Sequence, residues 1–94
     1  MIELSEQNYR SNLLQIRICS IEKGLEIVDS IKFIRVMSKR YNAYIMDQHM
    51  PIMGEIDGSV SFATDREEKE LSNVKGFFCH QHNVFTLLLR EQNV

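Results

Sequence analysis

Cysteine is scarce in this sequence: Cys19 and Cys79 are the only two, far apart in the chain. That spacing reads as two reduced thiols in a reducing compartment, not as a disulfide framework. A basic surplus is also missing. Eleven Lys and Arg stand against thirteen Asp and Glu, a formal net charge of -2. The basic residues are scattered, so a nucleic-acid backbone is not an expected partner. Long apolar runs are absent too, since Val84–Leu89, the longest, is far too short to span a bilayer. The opening Met1–Asn12 is polar and acidic and does not read as a secretory signal. There is no Gly-rich phosphate cradle, no Gly-x-Ser-x-Gly elbow and no His-Glu-x-x-His run. Proline occurs once, at Pro51, where the missing backbone donor points to a loop or a strand edge.

What is present is ordinary for a folded domain: 94 residues, 44% hydrophobic and 26% charged. Short runs of strand character alternate with turn signals. Leu14, Ile16 and Ile18 alternate with Gln15, Arg17 and Cys19, the period of a half-buried strand. Ile21–Gly24 reads as a turn, with Gly24 able to take a positive φ. Leu25–Val28 and Ser30–Ser38 read as further strands, Lys39–Asn42 as a turn, and Ala43–Met46 as a resumed strand. Asp57-Gly58 predicts a tight hairpin turn followed by the alternating strand Ser59–Phe62. The charged stretch Asp65–Ser72 has almost no apolar face, which favours a long loop over a short helix. Val74–His80 and Val84–Arg90 form a closing pair, with Asn83 suited to a left-handed position between them. Phe77, Phe78, Val84, Phe85, Leu87 and Leu89 are expected in the core.

The expected fold class is therefore all-β: a small flattened sandwich or barrel of about eight to ten mostly antiparallel strands. Its expected limits are a polar arm over 1–12, the domain over 13–90 and a tail over 91–94.

Two motifs invite chemistry. Cys79-His80-Gln81-His82 would put both imidazoles on one strand face, but a closed metal site needs about four donors. It reads as a polar hairpin tip with two solvated imidazoles. Tyr44–Met53, with Asp47 ahead of His49-Met50-Pro51, resembles the phosphoacceptor segment of response-regulator receivers. Phosphoryl transfer there needs acidic residues near the first strand to hold a metal, and Leu13–Cys19 supplies none. No cofactor and no metal are expected.

Read in order, the chain resembles the N-terminal β-sandwich of the epsilon subunit of F-type ATP synthases. Ser20-Ile21-Glu22-Lys23 follows the first strand as that family's turn does, and Val28-Asp29-Ser30-Ile31 is similar to its third run. Tyr44–Ile52 keeps the family's His-x-Pro between aliphatic flanks, as His49-Met50-Pro51. Glu55–Phe62 fits its next hairpin, and Lys75–Leu88 looks like its last one. Tyr41, Asn42 and Tyr44 depart from the glycines and the acid of the family's preceding turn, and Asp47 and Gln48 replace Pro and Gly before the histidine. The family's C-terminal helices have no counterpart before Val94, so ATP-sensed inhibition is not expected.

The resemblance implies a non-catalytic rotor subunit that docks the gamma subunit to the c ring. It would work peripherally, on the cytoplasmic face of a bacterial membrane or its matrix or stromal equivalent. Arg40, Tyr41, Asn42 and His49 are then the candidate partner-binding residues. A generic β-sandwich adaptor is the alternative, with an Asp47 phosphoacceptor behind it.

Overall fold

A computed structural model describes residues 13–92. It contains seven strands and, among the described residues, no helix. They are β1 (Leu14–Ser20), β2 (Gly24–Ile31), β3 (Phe33–Ser38), β4 (Asn42–Ile45), β5 (Ile52–Ala63), β6 (Glu68–Gln81) and β7 (Val84–Gln92). All seven belong to one mixed sheet in the order β2-β1-β7-β6-β5-β3-β4. Every neighbouring pair is antiparallel except β1 and β7, which run parallel from Gln15 opposite Val84 to Cys19 opposite Leu88. The arm expected over 1–12 lies outside the described residues.

The long β5–β6 ribbon organises the sheet. Its first half pairs Ile52–Asp57 with Lys75–His80, and its second pairs Val60–Ala63 with Glu68–Leu71. The register shifts between Gly58 and Val60, and Asn73 on the opposing strand takes φ 55°. A shift of this kind bends the ribbon and strengthens its twist. β3 pairs only with the second half of β5, while β7 pairs with Val74–Gln81 of β6. Two groups of strands thus share one bent ribbon. Their inward side chains meet in one core, with Leu14, Ile16, Phe78, Phe85 and Leu87 from one group and Ile34, Val36, Ile45, Val60 and Phe62 from the other. The architecture is all-β and sandwich-like.

Asp57-Gly58 does not turn the chain. Both lie inside the twelve-residue β5, which merges two expected strands and lowers the count to seven. The cause is a close crossing: a Cβ on Gly58 would collide with the carbonyl oxygen of Met37 on β3. Glycine is there to let two backbones approach, not to reverse direction. Asp65–Ser72 is not one loop either. A turn anchored by Thr64, whose amide donates to Glu67 O (2.9 Å), leads directly into β6 at Glu68. Gly24 takes φ 77° and Asn83 takes φ 61°, as their turns were expected to require. At the other end, β7 runs to Gln92, past the boundary expected at 90.

Candidate docking surface

Alternation puts half of each strand on the outer side of the β2-β1-β7-β6-β5 portion of the sheet. Register places Leu25, Cys19, Leu88, Phe77 and Glu55 in one row across these strands. Ile27, Arg17, Thr86, Cys79 and Met53 form the next row. Five large apolar side chains in these rows stay open to solvent: Leu25 (57% exposed), Ile27 (50%), Met53 (73%), Phe77 (48%) and Leu88 (50%). A one-sided antiparallel face is normally polar on its wet side. Here the wet side carries adjacent leucine, phenylalanine, isoleucine and methionine, the composition of an interaction face.

Its polar residues are tied down locally. Arg17 donates through Nε to Gln15 Oε1 (2.8 Å), and Gln15 donates through Nε2 to Asp29 Oδ1 (2.6 Å). Both cysteines are free, and Cys79 is exposed on this face.

Phe77 was expected inside and stands half-exposed instead. Consecutive residues on a strand point to opposite sides, so Phe77 and Phe78 cannot both enter the core. Phe78 is the one that does, stacking on Phe85 with ring centroids 5.3 Å apart. The apolar outer rows were illegible because register, not composition, brings residues so distant in sequence together.

Arg40 and Tyr41 lie in the turn between β3 and β4, and Asn42 opens β4 opposite Met37. The turn closes through the Ser38 amide donating to Tyr41 O (2.9 Å), and Arg40 and Asn42 are exposed. Tyr41 is half-buried: its hydroxyl donates to Glu55 O (2.8 Å) and its ring tilts against Phe78. Burial, and then the Glu55 carboxylate, push its phenol above the ordinary value. Tyr41 therefore anchors the turn, leaving Arg40 and Asn42 as its presented groups. An open groove beside it is lined by Ser38, Lys39, Arg40, Tyr41, Glu55 and Asp57. The Lys39–Asp57 ion pair there (3.4 Å) is exposed and contributes little.

His49 does not join that turn. It follows β4, in the loop over 46–51, where its amide donates to Met46 O (3.1 Å) and its Nδ1 lies 2.7 Å from Met50 O. The loop rests on the β6–β7 turn. Asn83 Oδ1 accepts from the Gln48 amide (3.0 Å), and Asn83 Nδ2 donates to Asp47 Oδ1 (2.7 Å). Asp47 thus sits in a loop, held by an amide, within a fold that has no alternating helices among the described residues.

The expected pair of solvated imidazoles is also revised. His82 is exposed in the turn with φ 52°, but His80 is completely buried. Period two carries it inward behind Val74, Gly76 and Phe78, a signal readable in the sequence. Its ring lies 6.0 Å from that of His49 and 6.1 Å from that of Phe85, and neither nitrogen has a hydrogen-bond partner. Burial, and then His49, hold its pKa below the ordinary value. Cys79 and His82 point elsewhere, and among the described residues no three His, Cys, Asp or Glu side chains converge as metal ligands. No helix among the described residues is long and apolar enough to cross a membrane.

No protein-family model matches the chain, and no curated protein matches it.

Proposed function

We propose that this chain is a non-catalytic docking subunit of the rotor kind, seated between the gamma subunit and the c ring of an F-type ATP synthase. The observation that carries docking is the exposed apolar face formed by Leu25, Ile27, Leu88, Phe77 and Met53. Covering such a face with a partner removes apolar area from water at roughly 25 cal/mol per Å². The choice of partners rests on the sequence resemblance of the other runs in order, since Glu55–Phe62 is one strand and not the hairpin that the resemblance implied. In this reading the apolar face seats gamma, and Arg40 and Asn42 reach towards the ring from a turn that Tyr41 holds rigid. Binding of this kind needs no bound cofactor and no reaction. The protein would stay peripheral, at the cytoplasmic face of a bacterial membrane or its organellar equivalent.

The deciding experiment is a pull-down of the tagged full chain from native membranes. Gamma and c-ring subunits are expected with the wild type and are expected to be lost with Leu88→Lys/Phe77→Lys. Recovery of a different, stoichiometric partner by the same face would replace the rotor assignment with the general adaptor reading. Recovery that ignores the double substitution would remove this face from the account.

A further inference from the structure

His80 is an anomaly that docking leaves unused. Buried polar groups in folded proteins are almost always hydrogen-bonded. Here an imidazole with no exposure has, among the described residues, no hydrogen-bond partner for either nitrogen. A neutral ring tolerates this site better than a charged one, because protonation would add a second donor with no acceptor to meet it. The surrounding elements do not relieve that cost. β5 presents Ile52 at the paired position and β7 presents Phe85. The loop over 46–51 presents His49, itself ionisable, and its carboxylate Asp47 is already engaged by Asn83 Nδ2. Burial first, and then His49, oppose a positive charge on the His80 ring.

The Asn83 side chain ties the loop that carries His49 to the β6–β7 turn, through the Gln48 amide and Asp47 Oδ1, and the loop's own turn closes through the His49 amide to Met46 O. The loop lies outside the ladders of β5, β6 and β7, so moving it aside breaks none of their bonds.

We propose that His49 and His80 form a proton-operated latch, closed while the His80 ring is neutral, whose opening on acidification releases the loop over 46–51 from the β6–β7 turn. In the closed form His49 lies edge-on to His80, with ring centroids 6.0 Å apart. A proton binds the His80 ring preferentially in the open form, because there that ring can be hydrated and stand apart from His49. Mild acid therefore shifts the population to the open form, as linkage requires. The latch does not depend on which partner the outer face binds.

Hydrogen exchange of the full chain, at about pH 7.5 and about pH 5.5 on either side of the ordinary imidazole value, tests it. After correction for intrinsic rates, the amides over 46–50 and 82–84 are expected to exchange severalfold faster at the lower pH, with β1 and β3 unchanged. His80→Phe is expected to abolish that response, and His80→Leu provides the same test with a smaller side chain. An unchanged loop, a response shared equally by all strands, or a response that persists in these variants would overturn the latch. Histidine NMR on the wild type reads it without mutation. The His80 ring should gain its proton in step with the loop's opening, and a ring that protonates while the loop stays protected refutes the idea.

Discussion

Gly58 and Gly76 show how much one absent Cβ can decide. A side chain at the first would strike Met37 O, and at the second Leu88 O. Both glycines also stand at register shifts, Gly58 in the pairing of β5 with β6 and Gly76 in that of β6 with β7. Gly58→Ala is therefore expected to destabilise the fold by about 1–3 kcal/mol, the usual range for forcing volume into a packed site. Urea denaturation measures it, and a loss within experimental error would show that β3 can give way. The Asp57-Gly58 pair predicts a turn from sequence because turns and close crossings both select glycine; only the β3 neighbour distinguishes them.

His80 makes the opposite point, since its inward position follows from the same alternation that buries Phe78. Its stability consequence has a definite sign. The unfolded chain binds a proton near the ordinary imidazole value of about 6.5, whereas the native site resists protonation. The unfolded state then holds more protons, so stability falls as pH drops below that value and levels off beneath the lowered native one. The denaturation midpoint of His80→Phe should lack this component of the wild-type pH dependence.

Among the elements, β1, the closing hairpin and its turn were legible because period-two burial and a left-handed Asn83 agree, although His82 before it is left-handed as well. The first half of β6 was not. Glu68, Lys69 and Glu70 are all exposed, so no apolar alternation marks them as strand. They are held extended by β5, with Glu70 opposite Ser61 and Lys69 opposite Phe62. Tertiary pairing overrides composition there. The loop over 46–51 is likewise set from outside, by Asn83. Asn83→Gly keeps the left-handed backbone while deleting the bonds to Gln48 and Asp47. It should cost about 1–2 kcal/mol, in line with two net hydrogen bonds. Asn83→Ala should cost about 1 kcal/mol more, because φ 61° disfavours a Cβ. Equal midpoints for the two variants in urea would place the whole effect in the side chain.

At the scale of the molecule, a rigid core and an apolar outer face are separable. Leu88 and Phe77 are half-exposed, so Leu88→Lys/Phe77→Lys should lower stability by only about 1 kcal/mol while abolishing partner capture. Thermal unfolding alongside the pull-down checks both halves of that statement. The sequence announces an all-β domain through its alternation. It does not announce the face, which exists only once β7 has brought Leu88 between Cys19 and Phe77.

That central position of β7 also governs how the protein can be made. The seventh strand in sequence is third in the sheet, flanked by β1 and β6. On the ribosome, the β1–β2 hairpin must wait with Leu14, Ile16 and Ile18 uncovered until Phe85 and Leu87 emerge. Such late, distant pairing slows folding and leaves the nascent chain open to aggregation. A chain cut after Gln81 should therefore show no cooperative unfolding by circular dichroism, although it retains six of the seven strands.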